Sequence, residues 1–128
     1  MAEGLETKLV LLVDDDPEIL VAMKTLLEET GVKVMTAVDG EAAVEMAIQH
    51  TPDLVILDAM LPKRSGFLVL EKLKGKGAGP KKPRVIMITG NQGKRHQAWA
   101  ESLGVDDYIN KPFRMERLMQ SAEKLLTK

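Results

Sequence analysis

Five times along this chain a short apolar run gives way to a longer stretch of helical periodicity, and that alternation constrains the fold most. The first run, Leu9 to Val13, carries no polar residue, as a strand covered on both faces requires. Asp16-Pro17 then supplies a capping carboxylate and a proline suited to the first helical position. Ile19, Leu20, Met23, Leu26 and Leu27 recur at helical spacing, and Gly31 stops that helix. The second unit is a strand from Lys33 to Thr36, then Asp39-Gly40 and a helix through Ala43, Val44, Ala47 and Ile48. Leu54 to Leu57 reads as the third strand, and Ser65-Gly66 opens a helix running through Leu68 to Leu73. Val85 to Ile88 is the fourth strand, followed by a helix from about Asn91 to Leu103 that ends at Gly104. Tyr108-Ile109 makes a short fifth strand. The last helix runs from about Arg114 to Leu126, with Met115, Leu118, Met119, Ala122 and Leu125 on one stripe. This order predicts an α/β fold, with a parallel sheet, helices on both faces and ligands beyond the carboxyl ends of the strands.

Composition narrows the class. At 128 residues the chain is expected to be a single domain, residues 1–128, with a core over about 7–127. A net charge of -1 and the lack of a basic recognition helix argue against direct nucleic-acid binding by this domain. Zero cysteines exclude a disulfide framework, a thiolate metal site and a cysteine nucleophile. The first apolar run breaks at Asp14, too soon for a membrane span or signal peptide, so a soluble, cytoplasmic protein with no membrane partner is expected. The segment from Gly75 to Pro83, GKGAGPKKP, reads as a mobile, solvated loop whose positive charge could meet an acidic partner. The chain ends shortly after the last helix, and it is expected to be either a stand-alone protein or a fragment of a longer one.

The polar residues gather at the strand ends. Strand one delivers Asp14, Asp15 and Asp16, strand three Asp58, strand four Thr89 and strand five Lys111. Asp14, Asp15 and Asp58 together repel one another, so a positive group must neutralise them. Oxygen ligands without His or Cys suit a hard cation, and few protein ligands with open water positions suit Mg²⁺ better than Ca²⁺. Asp16 is better used as the helix cap. A metal beside an amine and a hydroxyl has the parts for phosphoryl transfer, with Asp58, alone at its strand end, as the nucleophile. Taken singly, each aspartate also reads as a cap or turn residue; the constellation does not.

LLVDDDPE, LVILDAMLPKRSG, VIMITG and YINKPF, in that order over nearly the whole chain, resemble the receiver domain of two-component response regulators. The resemblance implies a flavodoxin-like five-stranded parallel sheet in order 2-1-3-4-5 with five helices. It implies that Asp58 accepts a phosphoryl group from the phosphohistidine of a sensor histidine kinase or phosphotransfer protein. Asp15 would bind Mg²⁺ directly and Asp14 through water, with Asp58 and the Met60 carbonyl completing the protein ligands. Lys111 would pair with the phosphorylated Asp58 and be joined to Pro112 by a cis peptide. Thr89 would be the switch hydroxyl and Tyr108 the aromatic switch, against a plain alternative with the Tyr108 hydroxyl in water. Output would pass through helix 4, strand 5 and helix 5, a face that also offers a homodimer contact, to an effector domain or downstream protein. Such a domain is a signalling phosphoacceptor that assists its own phosphorylation and dephosphorylation, not a turnover enzyme. Met60 and Asn91 occupy the places that tend to set phosphoryl lifetime, and apolar Met60 is expected to hinder the hydrolytic water.

Other readings fit less well. A haloacid-dehalogenase-like phosphatase would want Thr or Val where Glu18 stands, and a flavodoxin would place three aspartates against a flavin phosphate. A non-enzymatic pseudo-receiver usually lacks one of the site residues. His50 and His96 read as solvated surface histidines, and Trp99 and Leu103 as one packed face, with a signalling surface as the alternative for Trp99.

Overall fold

The computed structural model describes residues 5–75, 82–90 and 94–127. Most of the basic loop and Asn91 lie outside these residues. The strands are β1 (Leu9–Val13), β2 (Lys33–Ala37), β3 (Leu54–Asp58), β4 (Arg84–Thr89) and β5 (Asp107–Asn110). Among the described residues they form one parallel sheet in the order β2-β1-β3-β4-β5. The helices are α1 (Pro17–Glu29), α2 (Gly40–His50), α3 (Gly66–Lys74), α4 (Lys94–Ser102) and α5 (Met115–Leu126), and a 3-10 turn at Leu5–Thr7 precedes β1.

The unbroken apolar runs are explained by burial on both faces. Val10, Leu12, Leu54, Ile56, Ile86 and Ile88 pack with Leu20, Met23 and Leu27 of α1 and Leu118, Ala122 and Leu125 of α5. Their strand neighbours Leu11, Val13, Val55, Leu57, Val85 and Met87 pack on the other side with residues of α2, α3 and α4. Alternate side chains of each central strand thus serve opposite layers, and neither face can tolerate a polar residue. The edge strand β2 is only partly covered, which matches its mixed sequence KVMTA.

Local signals set the ends of the elements. Asp16 caps α1 by accepting the Glu18 N–H, with Pro17 at the first helical position. Asp39 caps α2 through the Ala42 N–H, and Ser65 caps α3 through the Leu68 N–H. Gly31 and Gly104 take the left-handed conformation (φ 101° and 92°) that favours glycine. β2 runs one residue beyond Thr36, because the Ala37 carbonyl accepts the Asp14 N–H and so extends its pairing with β1.

The amino edge of the sheet is held by half-buried acids. Asp53 accepts the Leu9 N–H, and Asp106 accepts the Val85 N–H while its carboxylate lies 2.7 Å from Lys74 Nζ. These ties leave the opposite, carboxyl edge as the place where the remaining polar strand ends meet. No helix among the described residues is long and apolar enough to cross a membrane.

Candidate functional site

A parallel sheet brings every strand out at the same edge, so residues far apart in sequence become neighbours there. β1 ends into Asp14 and Asp15, β3 ends in Asp58, β4 in Thr89, and β5 leads through Asn110 into Lys111. The loop backbones lock into one another: Ala59 N–H donates to the Ile88 carbonyl, and Lys111 N–H to the Thr89 carbonyl.

Asp14 is 2% exposed and Asp58 5%, whereas Asp15 reaches solvent. One carboxylate oxygen from each of the three lies within 4.8 Å of the others. Asp14 Oδ1 accepts the Asp16 N–H at 2.9 Å, and Asp58 Oδ1 accepts the Met60 N–H at 3.0 Å. Lys111 Nζ donates to Asp58 Oδ2 at 3.4 Å and stands 4.0 Å from Asp14 Oδ2. Burial pushes the Asp14 carboxyl up to about 6. The Asp16 N–H opposes the rise, Asp58 adds to it, Lys111 opposes it, and Asp15 adds a little. One ammonium therefore does not balance three carboxylates. The donor set, all oxygen with one solvent-facing member, fits a hard divalent cation that keeps some of its water.

Thr89 is buried beside Tyr108. The Tyr108 hydroxyl is enclosed without meeting hydrogen-bond geometry, and burial pushes its pKa up while the nearby Thr89 hydroxyl pulls it down. The alternative with this hydroxyl in water does not hold. The Lys111–Pro112 peptide is cis, as the resemblance implied.

Some features of the surroundings differ from the sequence reading. His50 is exposed, but His96 is half-buried, its ring 5.6 Å from that of Phe67. Trp99 is 44% exposed and stacks face to face on Phe67 at 4.5 Å, while Leu103 joins the core beneath. Two contributions escaped the sequence. Gly66, read only as the opening of a helix, lies so close to β3 that a Cβ there would sit 2.3 Å from the Asp58 carbonyl oxygen. Asp107 is bound by both guanidinium arms of Arg117 and by the Ser121 hydroxyl, and the guanidinium and hydroxyl outweigh burial to hold its carboxyl below the usual range. The DD pair before Tyr108 and an arginine ten residues on were the only hints of that network.

Known proteins match this chain over most of its length. The sequence profile described as "Response regulator receiver domain" matches residues 10–123. The transcriptional regulatory protein KdpE of Mycobacterium tuberculosis is 40% identical over 111 residues, covering 87% of this chain and 47% of KdpE. CpxR of Escherichia coli is 37% identical over 117 residues, covering 91% of this chain and 48% of CpxR. The chain thus spans about half the length of these curated relatives. Among solved structures, the signal receiver domain of a LuxO repressor protein from Vibrio parahaemolyticus superposes with a TM-score of 0.86 at 25% identity, covering 94% of this chain and 90% of that one. The BeF3-activated receiver domain of Klebsiella pneumoniae RstA gives 0.82 at 26% identity, covering 94% of this chain and all of that one. With its strand order, its acidic edge and this likeness over residues 10–123, the chain belongs to the receiver domains of two-component response regulators.

Proposed function

We propose that Asp58 is the phosphoryl acceptor and that Asp14, Asp15, Asp58 and the Met60 carbonyl hold Mg²⁺. The observation that carries this reading is the setting of the Asp58 carboxylate. It is buried at a strand end, with Lys111 Nζ on one oxygen, the Met60 N–H on the other and two further carboxylates within reach. Bound there, Mg²⁺ would neutralise the aspartates and draw charge from the phosphoryl oxygens.

The chain's own groups account for the rest. An Asp58 oxygen attacks phosphorus as the P–N bond to the donor imidazole breaks, and the imidazole leaves with the bonding pair. Lys111 offsets the developing negative charge from a position it already holds. The new group carries roughly -1.5 to -2 charge by analogy with phosphoserine. Thr89, at the end of the neighbouring strand, moves its hydroxyl to the phosphoryl oxygens, and the ring of Tyr108 secures the space beside it. The surface of α4, β5 and α5 is the element whose population shifts, with a homodimer or a downstream partner as reader.

On this reading the chain is one receiver unit over residues 1–128, a cytoplasmic signalling phosphoacceptor that takes part in its own phosphorylation and dephosphorylation and is not a turnover enzyme. Its donor is a sensor histidine kinase or a phosphotransfer protein, and an effector domain or separate protein reads the output. The nucleic-acid and membrane contacts of any longer protein lie elsewhere. The test is labelling by acetyl phosphate. Labelling should require Mg²⁺ and vanish in Asp58→Asn; equal labelling of that variant, or no effect of a chelator, rejects the reading.

A further inference from the structure

The methionines of this chain are not equally placed. Met23 and Met87 are fully buried, and Met35, Met46, Met115 and Met119 pack partly against the core. Met60 is 69% exposed, the one methionine among the described residues that is neither buried nor half-buried. It is also the one closest to the candidate chemistry. Its N–H is bonded to Asp58 Oδ1 at 3.0 Å, so its side chain leaves the same turn that holds the acceptor carboxylate. The chain contains no cysteine, so no thiolate competes for a mild oxidant.

We propose that Met60 is a redox modification site, at which oxidation to the sulfoxide shortens the life of the phosphoryl group on Asp58. This rests on the phosphoacceptor reading of Asp58. A sulfur lone pair attacks one oxygen of hydrogen peroxide, a sulfur–oxygen bond forms, and the O–O bond breaks. After proton transfer the products are the sulfoxide and water, with sulfur oxidised by two electrons and the peroxide reduced by two. A flexible apolar group with a weak acceptor becomes a polar one with a strong acceptor oxygen. Beside an acyl phosphate, such an oxygen can hold and orient a water that the thioether excludes. The change is reversible by methionine sulfoxide reductases, so the device could be reset.

The experiment uses the whole chain, treated with dilute hydrogen peroxide and mapped by peptide mass spectrometry. It is then labelled with acetyl phosphate and Mg²⁺, and followed through decay. Oxygen should add first at Met60 among methionines 23 to 119, and the phosphoryl half-life should fall by roughly two- to tenfold, a change the size of one modest hydrogen bond. Reductase treatment should restore it, and Met60→Leu should keep its own untreated half-life after peroxide. Oxidation spread evenly over the methionines, an unchanged half-life, or an equal fall in Met60→Leu would overturn the proposal. Failure of the reading beneath it looks different: the untreated chain would then take no label at Asp58, whatever the peptide map shows.

Discussion

Asp14 ionises against its surroundings. Its carboxyl titrates near 6 in the folded chain against an ordinary 3.8, chiefly because burial disfavours the charge. A raised folded value means that the native state holds more protons than the unfolded chain between those two pH values. Stability therefore falls as pH rises through that window, and the deficit persists at neutral pH. Asp107 has the opposite sign, since its depressed value lends stability that is present above the ordinary carboxylate pKa and lost as pH falls below it. The two windows do not overlap. Without divalent metal, the protein should be more stable near pH 5 than near pH 7.5. Asp14→Asn should flatten that slope and gain roughly 1–2 kcal/mol at the higher pH. Thermal melts of both proteins in chelator check this, and parallel pH profiles would contradict it. A carboxyl whose charge burial disfavours is thus also one of the candidate metal ligands.

At the scale of elements, α3 is the piece whose placement the site depends on most closely. It starts directly against the end of β3, with Gly66 N–H bonded to the Ala59 carbonyl at 2.9 Å. An alanine methyl at 66 would meet the Asp58 carbonyl oxygen at 2.3 Å and Ala59 Cα at 2.7 Å, all backbone, so either α3 or the acceptor strand must move. Gly66→Ala should cost about 2–4 kcal/mol in urea unfolding and slow the labelling of what remains folded. Ser65→Ala removes the cap one residue earlier and should cost only about 1 kcal/mol. Because that change leaves the close approach intact, its labelling rate should stay near that of the parent. A similar loss of labelling in both variants would mean that the start of α3, rather than its contact with β3, is what matters.

For the whole molecule, the layered fold separates support from chemistry. The two apolar layers and the half-buried acids Asp53 and Asp106 fix the sheet, while the carboxyl edge collects charges that the layers would not accept. A cation that binds the native edge and not the unfolded chain must then stabilise the entire domain, by about 2.7 kcal/mol at a hundredfold excess over its dissociation constant. Mg²⁺ should therefore raise the melting temperature, more near pH 7.5 than near pH 5, where Asp14 takes up a proton. Asp15→Asn should reduce the rise. A Mg²⁺ effect of equal size at both pH values would remove Asp14 from the ligand set.

Much of this was legible in the chain itself because it depends on near neighbours. Unbroken Leu54 to Leu57, Asp16 before Pro17, and Gly31 after a helical stripe each carry their meaning within a few residues, so order, direction and caps followed from local physics. The strand-end list followed too, since a parallel sheet sends every strand out at one edge. Other features arise from pairs that only packing brings together. The resemblance paired Lys111 with Asp58, but packing sets their 3.4 Å contact across 53 residues of chain. Phe67 lies under Trp99, and the Tyr108 hydroxyl is shut in beside Thr89. Gly66 is needed for room against Asp58, which its helix-opening position does not reveal. Periodicity says which face of an element is buried, but distances and shifted proton affinities depend on how two faces settle against each other, and only the tertiary structure decides that.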